Sequence, residues 1–435
     1  MKRREVLKGL TILPLASTIV GGPSAAAAVP AAASKVRSVY TPLGVRPVIN
    51  ARSTVTIVGA TQVLPEVQAA MDGAVKEFVQ LDELMDKVGD RLAELTGAEW
   101  GFVSARAFAA ITAGTAGCVS GGDPDKAWQI PDLRGMKDEV IIPAYSRSAY
   151  DAAAKAVGVQ MVEVSTLDEL KSAIGPRTAM ILIAAGGRSE NGPLSLAEIA
   201  SVAKPAGVPI LVDAAAEGLE VPNPHITAGA DLVAYSGGKY LRGPQCAGLL
   251  IGRKDLIHAA RITTAPHHGF GRGFKVGREE IVGMLTAVEM WFKRDHAAEW
   301  AEWTSLANYI AKKVEQVPGV KVELVEPKGR SNKVPSLNIQ WDTSIIPLTG
   351  DNVEQSLWNG SPRIAVSGAG SYIPFPPNKN PNIRVYPSSL RKGDEKVIAD
   401  RVVEILSNPA PPAKLSGAPG LDINGTWDLE MQFSA

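Results

Sequence analysis

The chain has 435 residues, 45% of them hydrophobic and 21% charged, enough for a large core and a second, smaller domain. Lys+Arg and Asp+Glu each number 45, so the formal net charge is zero and the basic surplus that grips a polyanion is missing; no nucleic-acid partner is expected. Cys118 and Cys246 are the two cysteines, far apart, and neither they nor His267-His268 have partners at ligand spacing, so no metal centre is expected either.

The N-terminus opens with Met1-Lys2-Arg3-Arg4, continues with a modestly apolar stretch from Leu10 to Val20, and then runs through Gly, Pro, Ser and Ala to about Ala33. Paired arginines ahead of a short apolar run and small-residue cleavage sites resemble a twin-arginine export signal over residues 1–33. The apolar run is too short and too broken by Gly and Pro to span a bilayer well, and no other stretch is long enough to do so. The expectation is therefore a folded protein exported to the periplasm, with a cytoplasmic location as the alternative.

Residues 34–60 form an N-terminal segment, after which short apolar runs alternate with amphipathic stretches. Candidate strands are Trp100–Val103, Glu139–Ile142, Val159–Val164, Ala179–Ala184, Pro209–Val212, Leu232–Tyr235 and Gly248–Ile251. Between them lie helical patterns such as Leu194–Ala206, where Leu196, Ile199, Ala200 and Ala203 share a face. Strands alternating with helices predict an α/β large domain over residues 61–295, built on a mostly parallel seven-stranded sheet. In such sheets ligands sit at the carboxyl ends of the strands. A long helix over Val276–Lys293 leads to residues 296–408, whose helix, short strands (Lys321–Val325, Ser336–Gln340), Gly/Pro-rich loop and final helix (Asp394–Leu406) predict a smaller α+β domain. Residues 409–435 read as a Pro/Ala/Gly linker and a tail with one alternating strand, Gly425–Phe433.

Two segments carry chemistry. The apolar run from Pro209 to Val212 delivers Asp213, and the run from Leu232 ends in Ser236-Gly237-Gly238-Lys239. The glycines allow a tight turn and close approach of a ligand. Ser236 can donate to a phosphate, and Lys239 sits where burial and a neighbouring cation such as Arg242 would lower its pKa and favour imine chemistry. A lysine and a carboxylate at neighbouring strand mouths are what pyridoxal 5'-phosphate (PLP) requires: an amine for the Schiff base and an anion against the pyridine nitrogen. Taken singly, each motif also fits a plain turn or a strand-closing aspartate.

The segment Gly229–Leu256 resembles the lysine loop of the selenocysteine-synthase-like family of fold-type I PLP enzymes, which includes seryl-tRNA selenium transferase and D-glucosaminate-6-phosphate ammonia-lyase. The likeness extends through Leu43–Asn50, Phe78–Leu84, Leu95–Glu99 and Gly271–Glu280, covering about residues 40–408. It implies a homo-oligomer built from dimers, active sites at the subunit interface, and a small-molecule amino substrate attacked at Cα or Cβ. It also implies Lys239 as the Schiff-base lysine, Asp213 as the pyridinium partner, and Ser236, Arg106 and Ala107 near the cofactor phosphate. By the same resemblance Arg272 and Lys275 are basic residues of the site, while Arg384 and Arg147 face the substrate, Arg384 as a fork for its carboxylate.

Three departures stand out. The phosphate loop reads Val103-Ser104-Ala105-Arg106-Ala107-Phe108, with Arg106 where the family has glycine. Ser146 takes the place of a histidine expected to stack on the cofactor, and Arg52-Ser53 replace small residues. The expected reaction is elimination: an amine displaces Lys239, the freed lysine removes the Cα proton, and a β-leaving group departs. The alternatives are a selenium transferase, disfavoured by the zero net charge and the export signal, and a catalytically impaired PLP-fold protein that binds an amine.

Overall fold

The computed structural model describes residues 38–367 and 378–409. Residues 1–33, read as an export signal, residues 368–377, and Gly425–Phe433, read as a tail strand, lie outside them. The chain divides after Pro47, within the segment read as 34–60. The described part of the first unit contains one helical turn, Thr41–Leu43.

The second unit begins with β1 (Val48–Asn50) and carries a sheet of seven strands: β2 (Trp100–Ser104), β3 (Glu139–Pro143), β4 (Gln160–Val164), β5 (Thr178–Ala184), β6 (Ile210–Asp213), β7 (Leu232–Ser236) and β8 (Gly248–Gly252). Their order is β2-β8-β7-β6-β5-β3-β4, and β8 alone runs against the others. Side chains such as Ile181, Ile183, Leu211 and Val233 are fully buried. A sheet covered on both faces has no solvent side, so its strands are apolar runs instead of alternations.

All seven expected strands are present, and five end one residue later than their apolar runs, three of them on a polar residue. Ser104 pairs with Gly248, Asp213 with Ala184 and Ala234, and Ser236 with Gly248. The hydrogen-bonded ladder continues one residue past the point where hydrophobicity stops. The polar residues there are held by backbone pairing, with side chains at the sheet's rim.

The covering helices follow the same logic. Leu196–Ala203 buries Leu196, Ile199, Ala200 and Ala203, the face read from the sequence, and starts at Ser195, whose hydroxyl caps it. The Arg106–Ser120 helix is rich in Ala and Gly because it packs closely; a Cβ on Gly117 would lie 2.5 Å from the backbone nitrogen of Ala260.

A second hydrophobic cluster follows the Arg278–Lys293 helix. It is built from the His296–Val314 helix, β9 (Val320–Val325), β10 (Ser336–Trp341), the Gly350–Asn359 helix, β11 (Arg363–Ala365), β12 (Asn382–Val385) and the Asp394–Ser407 helix. The strands β12-β10-β9 form an antiparallel sheet, the smaller α+β part. β1 pairs in parallel with β11 and sends Ala51 into this cluster, so residues early in the chain complete a core made late in it. No helix among the described residues is long and apolar enough to cross a membrane.

Candidate active site

The carboxyl ends of β2, β5, β6 and β7 surround a cavity of about 680 Å³, within the range of a cofactor pocket. Arg106 and Ala107 line it after β2, Ala184 and Ala185 at β5, Asp213 at β6, and Ser236 and Lys239 at β7.

The Lys239 loop is held from outside the sheet. The Thr61 hydroxyl lies 2.9 Å from the Gly238 carbonyl and 3.0 Å from that of Lys239, and the Gln245 amide donates to Gly238. Burial lowers the Lys239 pKa, with Asp213 opposing. Arg242 does not supply the lowering expected of it: its Nε donates to the Gln62 carbonyl at 3.2 Å, and desolvation is the cause. A lysine desolvated this way holds its free amine nearer neutrality, the form that acts as nucleophile and base.

Asp213 is the complementary group. Burial pushes its carboxyl up; the Ala215 N–H, donating at 3.1 Å, and the charge on Lys239 pull it back, while Glu217 adds to the rise. A buried carboxylate with one backbone donor has unused acceptor capacity, and a cation beside it would relieve the desolvation cost.

At the other end lies the Arg106–Ser120 helix. Its N-cap is Ala105, with no side-chain cap, and its first residues Arg106, Ala107 and Phe108 line the cavity. Such a terminus binds phosphate. Arg106 sits in the left-handed region at φ +73, the conformation a glycine would take. Its carbonyl accepts from Ser104 Oγ at 2.9 Å, and Gly248 makes room for it: a Cβ there would lie 2.3 Å from the Arg106 carbonyl carbon. The arginine therefore keeps the glycine's backbone shape and adds a guanidinium, which makes no ion pair among the described residues. An acidic rim at one end and an uncapped helix, Ser236 and Arg106 at the other fit a pyridinium ring bearing a phosphate.

The remaining expected site residues lie outside this lining. Arg147 is engaged with Asp151 and Glu163, each at 2.6 Å, although its neighbours Ser148 and Tyr150 line the cavity. Arg272 and Lys275 are exposed on either side of Phe274, which does line it. Arg384 is exposed on β12, its N–H donating to Ser367 Oγ. Ser146, at the expected stacking position, is buried and accepts the Ala184 N–H at 3.0 Å, tethering the end of β5.

Ser331 and Asn332, between β9 and β10, line the cavity and were not anticipated. Ser331 Oγ lies 3.0 Å from Glu217 Oε1, whose other oxygen lies 2.7 Å from the buried His225 Nε2. That relay ties the small cluster to the residues following Asp213. Nothing local in Arg330-Ser331-Asn332 marks it, because its partners are more than a hundred positions away.

The aminotransferase class-V family model matches residues 140–344. Among curated proteins, D-glucosaminate-6-phosphate ammonia lyase of Salmonella typhimurium is 30% identical over 74% of this chain and 87% of its own length. A 5'-C-glycyluridine monooxygenase-decarboxylase from a Streptomyces species is 30% identical over 66% of this chain and 73% of its own. The L-seryl-tRNA(Sec) selenium transferase of Moorella thermoacetica is 26% identical, over 61% of this chain and 59% of its own. A solved structure of D-glucosaminate-6-phosphate ammonia-lyase superposes with a TM-score of 0.74 at 28% identity, covering 86% of this chain and 100% of that one.

Proposed function

This chain belongs to the fold-type I PLP-dependent family that includes D-glucosaminate-6-phosphate ammonia lyase and the seryl-tRNA selenium transferases, and on that premise we propose that it is a lyase acting at Cα and Cβ of an amino acid or amino-sugar acid. The observation that carries the proposal is the placement of Lys239 and Asp213 at neighbouring strand ends, both desolvated, in one cavity. The cofactor, PLP, supplies an electron sink for the substrate's Cα when bound.

The chain's own groups divide the work. Lys239 holds the cofactor and, once released from it, takes the Cα proton on Nζ; burial lowers its pKa and so favours the unprotonated nitrogen that acts as base. Asp213 presents its carboxylate to the ring nitrogen and keeps that proton in place. Arg106, the N–H groups of the first helical turn and Ser236 hold the phosphate. Phe108 and Ile111 give the cavity apolar wall that limits water at the reacting carbon. With a β-hydroxyl as leaving group, the Cα proton and that hydroxyl leave, water replaces the amine, and the products are a 2-oxo acid and ammonia.

Ammonia release from a panel of hydroxy-amino acids and amino-sugar acids tests this reading. Turnover that disappears in Lys239→Ala is expected; binding of the panel without any release would make the chain an amine-binding protein. We further propose self-association into a dimer or larger homo-oligomer, checked by light scattering. The paired arginines in residues 1–33 support export by the twin-arginine route to the periplasm, checked by the N-terminus of the protein from that fraction.

A further inference from the structure

A second cavity, of about 310 Å³, adjoins the first; Thr54 and Asn332 line both. Its other described polar lining residues are Arg52, Ser53, Tyr240, Ser367 and Tyr386; the buried Glu354 carboxyl lies behind them, near Arg52 and 3.5 Å from Ser367 Oγ. A wall of one guanidinium, several hydroxyls and an amide is a donor surface, suited to an anion.

This wall is built and held. Asn50 uses both ends of its amide: Nδ2 donates to the Ser53 and Ala60 carbonyls at 2.9 Å each, and Oδ1 accepts the Arg52 N–H at 2.9 Å. Ser53 (φ +59) and Asn332 (φ +53) are non-glycine residues in the left-handed region, on two segments that meet here. Strained backbone of this kind persists where surrounding contacts over-determine it, and it clusters at ligand clamps. The Tyr240 hydroxyl is buried, and its one neighbouring side-chain partner among the described residues is Ser53, which meets it off the geometry of a full hydrogen bond and whose own Oγ lies 3.1 Å from Ser388 Oγ. A buried hydroxyl with only an off-geometry neighbour is under-satisfied, and a bound acceptor would complete it. Arg52 is half-buried at the same wall, whereas Arg384 is exposed outside both cavities.

We propose that this smaller cavity is the subsite for the anionic end, carboxylate or phosphate, of the amino substrate. Arg52 supplies the charge and Tyr240 Oη a hydrogen bond. The assignment rests on the lyase reading above and replaces Arg384 with Arg52 as the residue that faces the substrate's anion. The cavities share Thr54 and Asn332, so a substrate with its amine at Lys239 extends past those two residues to reach it.

Calorimetric titration of the cofactor-loaded enzyme tests this without turnover, using D-gluconate, D-gluconate 6-phosphate, glucose 6-phosphate and glucitol, none of which carries an amine. The wild type binds the anions and not glucitol. Arg52→Met weakens anion binding about tenfold or more, the size of a charge-assisted contact, Arg52→Lys recovers part of it, and Arg384→Met leaves it unchanged. Loss confined to the two gluconates assigns the cavity to carboxylate; loss confined to the two phosphate esters assigns it to phosphate. Tyr240→Phe raises the melting temperature of the ligand-free enzyme while weakening the same anions, a combination that a packing role would not produce. No anion binding by the wild type, glucitol binding as tightly as gluconate, or unchanged affinity in both Arg52→Met and Tyr240→Phe overturns the proposal. Failure of the wild type to show the absorption band of bound cofactor overturns the lyase reading instead.

Discussion

Arg106 combines two effects of opposite sign that two substitutions separate. In the left-handed region a non-glycine residue costs about 1–2 kcal/mol, and Arg106 sits there at φ +73. Arg106→Gly removes that strain but adds about 0.5–1 kcal/mol of unfolded-state entropy, so the apoprotein gains roughly 0–1.5 kcal/mol. Arg106→Ala keeps the strain and gains nothing. Both lose the guanidinium, which is exposed at the cavity, so the low end of a charge-assisted contact applies, about 1–1.5 kcal/mol, or roughly a five- to tenfold weaker hold on the cofactor. Absorbance titration of the apoprotein with PLP reads the affinity, and thermal unfolding reads the strain as about 1 °C per kcal/mol for a chain this long. Both variants should bind PLP equally weakly, with the glycine variant the more stable. Wild-type affinity in both would refute a phosphate role for the side chain. An alanine variant as stable as the glycine one would refute the backbone argument.

Four further outcomes follow from the geometry. Lys239→Ala should abolish both the cofactor absorption band and turnover, read by spectrophotometry and ammonia release. Asp213→Asn should cut kcat by about a hundredfold or more, because the buried carboxylate's charge no longer faces the ring nitrogen, while raising apoprotein stability by removing a desolvated acid; unchanged kcat would sink its role. Gly248→Ala should cost about 1–3 kcal/mol in denaturant unfolding, since its methyl meets the Arg106 backbone, which cannot swing aside as a side chain would. Burial pushes the Glu354 carboxyl from 4.5 up to about 7, so the native state holds its proton more tightly than the unfolded chain. Its stabilisation is complete below the ordinary value and is lost as pH rises through about 7; Glu354→Gln should flatten that fall in a pH series of unfolding midpoints.

Local order in the sequence was enough to place the sheet, the lysine and its acid partner. Apolar runs of four to six residues reappear as β2 to β8, because a doubly covered sheet demands hydrophobicity along the whole strand. The residue that breaks each run, Asp213 or Ser236, then falls at the sheet's carboxyl rim, where chemistry belongs. Arg106 was legible as a departure, but its consequence was not: only the packing of Gly248 beneath it reveals that the arginine retains glycine's conformation.

What the tertiary structure alone decided is which distant segments meet at that rim. Arg384, Arg147, Arg272 and Lys275 carry the right charge, yet they lie outside the cavity lining. Arg52, Tyr240 and Asn332 form a second cavity because β1 pairs with β11 and the loop between β9 and β10 reaches the residues after Asp213. Hydrophobic periodicity records only whether a residue is buried within its own element. Which segment shares a wall with which depends on contacts hundreds of positions apart, and these leave no periodic trace in the chain.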